Sequence, residues 1–430
     1  MSAAPVTPSA RRRPPLSHAM AAATLALLLG LQPITSDTYL PALPALTRAL
    51  HATLAQAQQT IALLILAFGL AQLAWGPLAD RHGRRPVLLA GLATYVVASI
   101  GCALSSDIAA LIAWRAVQGA CLAAAIVIAR AMVRDLYEPH EGAQVMSVAL
   151  SGLGVIALLG PLTGGALAAL VGWRSTLVLM AVAGAAALAF IAWRMPETLA
   201  RPNPDATRLA PLARTWWRIA THRDFIAWGL LVSCTYGGLF TMLAGSSFVY
   251  IEMLGVSPAG YGAVLASCSA VYIAGTFVGR RWIAALGLVG AVRRAAVLTL
   301  AGGLGVAGFA MAGVHTVWAL LVPFWIFMFA HGTHQPVGQA AVVGPFPQHA
   351  GTASALAGCV LALIAWGIGA WLGVALTGVL PFALTIGFWA AATAAVAWTL
   401  VSRTGARRAA GGGSASAATA DSAPAEAASR

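Results

Sequence analysis

Long apolar runs dominate this chain, and the short segments between them carry most of its arginines. A helix needs about 20 mostly apolar residues to cross a bilayer, and it satisfies its own backbone hydrogen bonds where no water is present. Charged residues make up 9% of the chain and hydrophobic residues 60%, whereas a soluble domain carries about 25% charged residues. The chain therefore lacks the charge to cover a water-exposed surface of its own size, and we predict an all-α membrane protein.

Twelve apolar runs are long enough to span a membrane, six in each half of the chain. The predicted spans are 19–40, 57–79, 86–104, 108–131, 142–170, 174–194, 224–251, 259–283, 292–313, 316–342, 352–377 and 379–401. The predicted division of the chain is a disordered N-terminus (1–18), a first half (19–194), a linker (195–223), a second half (224–401) and a disordered tail (402–430). The basic N-terminus superficially resembles a signal peptide, but no clean cleavage site follows the first run.

Arginine accounts for every basic residue and gives a formal net charge of +13. Because cytoplasmic loops carry an excess of basic residues, alternate loops can be assigned to one side. We predict that both termini and the linker are cytoplasmic, with Arg48 and Arg174 among the few arginines outside. The charge thus reports topology and not nucleic-acid binding, and the five cysteines, which form no CxxC pair, are interpreted as packing residues.

Two charged residues lie deep in apolar runs, Asp37 in the first span and Arg115 in the fourth. A charge inside a membrane costs about 2.5–3.5 kcal/mol or more and needs a reason. Both residues are placed about 5–10 Å below the outer boundary by the helical rise, so they could compensate each other. Burial favours the neutral acid and a guanidinium favours the carboxylate, which suits a proton-coupling site. The alternative is a static ion pair that fixes helix packing.

The loop after the second span reads Gly-Pro-Leu-Ala-Asp-Arg-His-Gly-Arg-Arg from Gly76 to Arg85. Glycines allow close helix approach and tight turns, and a carboxylate is favourable at a helix N-terminus. We predict that the loop gates the inner side of the protein, the alternative being a plain topogenic loop. The gating residues predicted there are Gly76, Asp80, Arg81, Gly83, Arg84, Arg85 and, from the fourth span, Asp135.

The fifth span contains Gly160, Pro161, Gly164 and Gly165 within six residues. Small residues let membrane helices pack closely, and proline kinks are tolerated there. We predict a moving interface between the two halves at this span. Ordinary small-residue packing is the alternative.

The tenth span carries His331, His334 and Gln335. Two histidines at i, i+3 could bind a metal, but no third ligand is apparent, so we predict no metal site. Substrate hydrogen bonding and polar packing remain as interpretations. The chain has no phosphate-binding loop, no His-Glu-x-x-His and no Gly-x-Ser-x-Gly, so we expect no cofactor, no ATP coupling and no enzyme activity.

Several of these strings resemble motifs of the major facilitator superfamily. Gly76 to Arg85 is similar to its signature between helices two and three, Arg115 to Gly119 to the helix-four motif of its drug–proton antiporters, and Gly152 to Gly165 to their helix-five motif. Five further strings resemble the bicyclomycin/chloramphenicol-resistance subfamily, namely 37–44, 130–137, 196–199, 247–258 and 345–356. The resemblance covers residues 19–401, although Gly279 stands where the second-half copy of the signature would carry Asp.

The resemblance implies two six-helix bundles around a central cavity that opens alternately to each side. It implies a monomeric, proton-driven antiporter that exports drug-like molecules such as phenicols or bicyclomycin from the cytoplasm across a bacterial inner membrane. Its coupling residues would be Asp37 and Arg115, and the candidate substrate-binding residues are Tyr39, Gln118, Tyr236, His331, His334 and Gln335. The alternatives are a metabolite exporter or importer and, from another class, a membrane sensor or a polytopic enzyme, for which no output domain or catalytic constellation is found.

Overall fold

The structure is a computed structural model that describes residues 17–404, and every regular element in that range is helical. The predicted disorder of the termini concerns residues that lie almost entirely outside this range. The helices are α1 (His18–Asp37), α2 (Leu43–Ala49), α3 (Leu54–His82), α4 (Arg84–Leu104), α5 (Ile108–Leu136), α6 (Pro139–Leu170), α7 (Arg174–Arg194), α8 (Leu209–Ala220), α9 (Arg223–Ser247), α10 (Pro258–Met311), α11 (Val317–Val343), α12 (Ala350–Ala375) and α13 (Val379–Val396).

Eleven continuous helical segments of the described range are long and apolar enough to cross a membrane. One of them, α10, has 54 residues and would extend about 80 Å at the usual helical rise, more than twice the roughly 30 Å of a hydrocarbon core. Gly287 interrupts α10 with a φ of 69° and a ψ of 177°, a conformation that glycine adopts without a Cβ clash. The helix therefore crosses twice, and the predicted fold of twelve spanning helices is confirmed.

Polar residues in the short loops set where the spans begin. Thr53 and Gln56 form a reciprocal capping box at the start of α3, and Asp107 accepts a 2.9 Å hydrogen bond from the Ala110 amide at the start of α5. Ser257 and Thr316 cap α10 and α11 in the same way. These caps satisfy amides that a helix leaves unpaired, and they fix the boundaries within a few residues of the predicted ones.

Helices α1 and α3–α7 form one six-helix bundle, and α9–α13 form the other, since α10 supplies two crossings. Two long seams join the bundles, one where α3 packs along α12 and one where α6 packs along α10. Glycines allow the close approach: a Cβ on Gly69 would collide with the Ala362 side chain, and a Cβ on Gly373 would lie 2.9 Å from the Ala55 Cα.

The apolar core is distributed unequally along the spans. We call the side of the molecule that carries the linker the linker side, and the opposite side the far side. Toward the far side, one buried cluster includes residues of both bundles, such as Tyr39, Leu43, Phe240 and Leu372. Toward the linker side there are two separate clusters, one in each bundle. The bundles are therefore closed against each other by apolar packing on the far side.

The predicted linker, 195–223, contains a helix. A short turn at Pro204–Thr207 packs against α3 of the first bundle. The twelve-residue helix α8 follows and packs against α12 and α9 of the second bundle. The linker thus contacts both bundles on the linker side.

Candidate functional site

A buried polar cluster lies within the first bundle around Arg115, whose side chain is 0% exposed. Its Nη1 donates to Gln118 Oε1 at 2.7 Å, and both terminal nitrogens donate to the Thr35 carbonyl at 3.3 Å. Gln118 in turn donates to Ser99 Oγ at 2.7 Å, and the guanidinium stacks 4.2 Å from the centre of the Tyr39 ring. A buried charge needs such partners, and those of Arg115 come from α1, from α5, from the Thr60 carbonyl of α3 at 3.4 Å and from Tyr39, which follows α1.

The predicted compensation of Asp37 by Arg115 is wrong for this conformation. Among the described residues, no ion pair joins them, and Asp37 Oδ1 instead accepts a 2.5 Å hydrogen bond from Ser36 Oγ. The reason is the position of the side chains around α1. The Thr35 hydroxyl lies 2.6 Å from Tyr95 Oη of α4, so the Thr35 side chain points into the first bundle, and a residue two positions further along a helix points about 200° away. The Asp37 side chain therefore points away from Arg115.

Asp37 lies at the boundary between the two bundles. It is half-buried, and the turn that follows it, Leu40–Ala42, packs against α9 and α10 of the second bundle. On its other flank is α6, where a Cβ built on Gly160 would lie 3.7 Å from the Asp37 Cβ. Asp37 therefore lies next to the place where the first bundle meets the second, and its surroundings change if the bundles part on the far side.

The glycines of α6 lie where this helix contacts the end of α1 and where it contacts α10. A Cβ on Gly164 would lie within 3 Å of the Thr38 backbone, so α6 touches α1 there without intervening side chains. A Cβ on Gly165 would lie 2.6 Å from the Pro258 carbonyl oxygen, and one on Gly262 would collide with the Pro161 carbonyl. The four predicted residues thus lie at the contacts with α1 and, across the seam, with α10, as an interface helix requires. Movement at this seam stays a prediction.

The predicted charge cluster forms on the linker side around Arg84, which is 6% exposed. Its Nη1 lies 2.6 Å from Asp80 Oδ1, and its Nε lies 3.0 Å from Asp135 Oδ2. Gly83 has a φ of 99°, so the turn between α3 and α4 uses a conformation that disfavours side chains. The cluster joins α3, α4 and α5 within the first bundle.

Two arginines of the same loop and Gly76 have more local contacts. Arg81 Nη1 donates to Thr207 Oγ1 at 2.6 Å, and Arg85 Nη2 donates to the Ala192 carbonyl at 2.8 Å. Gly76 faces Val127 of α5, where an added Cβ would make an ordinary 3.8 Å contact. Arg81 and Arg85 thus attach the loop to the linker and to α7. The gating role of these two arginines and of Gly76 stays a prediction.

Glu197 of the linker also binds this loop, although it is not among the predicted site residues. Its Oε1 accepts hydrogen bonds of 2.9 Å from the amides of Arg84, Thr198 and Leu199, and its Oε2 accepts one of 3.0 Å from the Arg85 amide. A carboxylate on the first amides of α4 is favourable because these amides have no helical partner. Glu197 lies in the string 196–199 that resembles the subfamily, but no regular spacing relates the linker to this loop, so the sequence does not predict the partner of this carboxylate.

Polar contacts also cross between the bundles at both ends. On the linker side, Arg130 of α5 donates to Ser354 Oγ of α12 at 3.2 Å. On the far side, Arg48 forms an ion pair with Glu252, which follows α9. Arg48 is one of the few arginines predicted outside, and this exception to the charge pattern is the sequence signal for a specific partner.

The polar residues of α11 face separate neighbours. His331 Nδ1 lies 2.9 Å from Thr235 Oγ1 of α9, whereas His334 Nε2 lies 3.1 Å from the Val292 carbonyl of α10. Both histidines are buried. Gln335 is half-buried, and its buried Oε1 accepts no hydrogen bond from any residue that the structure describes.

The candidate substrate-binding residues differ in how exposed their side chains are. Tyr39 and Gln118 are fully buried inside the first bundle, and Tyr39 donates to Thr60 Oγ1 at 2.8 Å. Tyr236 is half-buried and stacks on Phe240. Substrate binding by these residues stays a prediction. Within residues 17–404, no group of three or more His, Cys, Asp or Glu side chains is placed to hold a metal ion.

Twelve membrane crossings in two bundles, with polar side chains buried between and within them, define a multi-pass membrane transporter. The chain belongs to the Major Facilitator Superfamily, whose sequence profile matches residues 25–370.

Curated relatives include drug-resistance proteins. The chain is 30% identical to Multidrug resistance protein D of Escherichia coli over 338 residues, which is 78% of this chain and 83% of the relative. It is 30% identical to the Chloramphenicol resistance protein of Pseudomonas aeruginosa over 371 residues, 81% and 83% of the two chains. A match to the uncharacterized MFS-type transporter YdgK of Bacillus subtilis is also 30% identical and spans 65% of that relative and 59% of this chain. The predicted resemblance to this group is confirmed.

Solved structures share the fold. The human organic anion transporter MFSD10 superposes with a TM-score of 0.67 at 20% identity, over 90% of this chain and 100% of that one. At this identity the similarity concerns the fold alone.

Proposed function

We propose that this protein is a proton-coupled antiporter that exports small drug-like molecules from the bacterial cytoplasm across the inner membrane. The observation that carries the proposal is Asp37, a half-buried carboxylate inside a span, at the boundary of two bundles. Ionisable residues inside membranes are costly and mark proton or substrate pathways. The names of the drug-resistance relatives favour drug-like substrates.

The linker side is the cytoplasmic side in this proposal, with both termini inside. The loop Gly76–Arg85 and the linker carry many of the arginines, and basic residues favour the cytoplasm. The shared apolar cluster closes the far side, whereas on the linker side the two bundles have separate apolar clusters and meet through the Arg130–Ser354 hydrogen bond.

Asp37 exchanges the proton in this mechanism. When the cytoplasmic side is open, the ionised carboxylate permits the substrate to bind between the bundles, with Tyr236 and Gln335 as candidate polar contacts. When the far side opens, a proton from the more acidic exterior neutralises Asp37, weakens substrate binding and is carried inward on return. Such a cycle needs a ligand that binds the two states differently, and the change of charge on Asp37 provides the difference.

Arg115 acts through the backbone of α1. Its guanidinium binds the Thr35 carbonyl, two residues before Asp37. It therefore positions the end of α1 that carries the carboxylate, and its positive charge remains inside the same bundle. The Asp80–Arg84–Asp135 cluster and Glu197 hold the α3–α4 loop as one unit that moves with the first bundle.

The test is proton release from everted membrane vesicles that contain the protein and are acidified inside. Phenicols, bicyclomycin and other drugs are added one at a time, followed by a panel of small metabolites. A substrate should dissipate the pH gradient in the wild type and not in Asp37→Asn. Asp107→Asn is the matched control, because it removes an exposed carboxylate while asparagine remains a good helix cap.

Full drug-dependent proton release by Asp37→Asn would remove Asp37 from the coupling mechanism. A response to metabolites alone would retain the transporter and overturn its assignment to drugs. Expression and chromatographic behaviour equal to wild type establish that the variant is folded.

A further inference from the structure

The linker helix α8 presents an unusual surface, and the proposed transport cycle makes no use of it. Leu209 and Trp217 are 76% and 73% exposed. At 3.6 residues per turn, these two residues and Ala213 follow one another at intervals of four and form a single strip. We call Leu209, Ala213 and Trp217 the apolar strip of α8.

The opposite edge of the same helix is anchored to the protein. Ile219 is 0% exposed and belongs to a buried cluster with Phe225 and Trp228, which lie in the first two turns of α9. Because those turns begin a membrane span, α8 lies at the height where the second bundle enters the bilayer. The apolar strip is therefore at the membrane boundary and not in bulk solvent.

Positive charge borders the apolar strip. Arg214 and Arg218 are exposed and lie one turn apart on the flank next to Trp217. The segment 201–224 contains five arginines and two acidic residues, and one acid, Asp205, pairs with Arg208 at 2.9 Å. An exposed apolar strip beside basic residues is the pattern of helices that lie in the headgroup region of a membrane.

We propose that α8 lies in the inner leaflet and binds anionic phospholipid, with the apolar strip between the headgroups and Arg214 and Arg218 on lipid phosphates. The charge of the arginines selects anionic over zwitterionic lipid. The location on the inner leaflet rests on the orientation proposed above. Since the linker also packs against α3 through Pro204–Thr207, lipid bound at α8 contacts a segment that joins both bundles.

A fluorophore at Trp217 tests the proposal. The five native cysteines are buried, so Trp217→Cys offers a preferred site for a polarity-sensitive thiol label. The labelled full-length protein is placed in lipid nanodiscs that range from pure phosphatidylcholine to pure phosphatidylglycerol. The emission should shift to shorter wavelength as the phosphatidylglycerol fraction rises, and the shift should saturate.

Arg218→Gln in the labelled background should raise the half-saturating phosphatidylglycerol fraction about fivefold, because a basic residue near an anionic membrane contributes about 1 kcal/mol. Arg281→Gln is the matched control, since it removes an exposed linker-side arginine of α10. It should leave the half-saturating fraction unchanged.

Three results would overturn the proposal. Emission that is the same at every lipid composition would show that lipid charge does not act at α8, whether the label is in water or against protein. Equal effects of Arg218→Gln and Arg281→Gln would assign the response to overall charge. A shift produced by inorganic phosphate in phosphatidylcholine nanodiscs would identify a free anion and not a lipid as the ligand.

Discussion

The ion pair between Arg48 and Glu252 should stabilise the conformation that is closed on the far side. The two residues belong to different bundles, so the contact is lost when the bundles part there. Their side chains are 66% and 38% exposed, and ion pairs with such exposure contribute about 0.2–1 kcal/mol. Removing the pair should therefore lower the ratio of far-side-closed to far-side-open molecules by about 1.4- to 5-fold.

A distance measurement across the far side reads this ratio directly. Leu170 at the end of α6 and Val374 near the end of α12 are 85% and 79% exposed, one in each bundle, so cysteines there can carry a donor–acceptor or spin-label pair. Arg48→Gln and Glu252→Gln should each increase the population with the longer distance. Arg174→Gln is the control, because this far-side arginine bonds to Ala103 and Ser105 of its own bundle.

Charge reversal distinguishes the pair from other effects of these side chains. Exchanging the two residues should restore the wild-type ratio, and high salt should reduce the wild-type ratio toward that of the single variants. The reasoning is refuted if either single variant leaves the distance distribution unchanged, or if both act and the exchanged pair fails to restore it.

Two further predictions concern the stability of the fold, and both are checked by thermal unfolding in detergent. Gly119→Ala should destabilise the folded protein by about 1–3 kcal/mol, because the added Cβ would collide with the Leu64 backbone. Gly308→Ala is the control and should be neutral or stabilising, since a Cβ there would have no neighbour within 4 Å. Equal effects of the two substitutions would contradict the close α3–α5 contact. Glu197→Gln should cost about 0.3–1 kcal/mol because it removes the charge on the first amides of α4. Glu138→Gln should change nothing, since Glu138 makes no capping hydrogen bond at α6, and a loss as large as that of Glu197→Gln would refute the capping role.

The number and approximate ends of the spans could be predicted because the bilayer imposes one length and one chemistry on each. The sharp turn at Gly287 could not be predicted in the same way. The runs 259–283 and 292–313 predicted two helices with a loop, and the structure turns between them at one residue with positive φ. A glycine among many gives no signal for such a turn.

The neighbours of the buried charges could not be predicted from one sequence. In a soluble helix the apolar stripe shows which face is inward, but α1 and α5 are apolar on nearly every side, so the sequence does not fix their rotation. The sequence therefore predicts how deep Asp37 and Arg115 lie along their spans. It does not predict in which direction around the helix their side chains point. The contact between Glu197 and the α3–α4 loop depends on the path of the linker, which no local pattern encodes.

The unequal core has a thermal consequence. Parting the bundles on the far side exposes side chains of one continuous apolar cluster, whereas on the linker side each bundle keeps its own cluster. Exposure of apolar surface to water raises the heat capacity. The equilibrium between the two orientations should therefore have a temperature-dependent enthalpy, and a van't Hoff plot of the far-side distance populations should be curved.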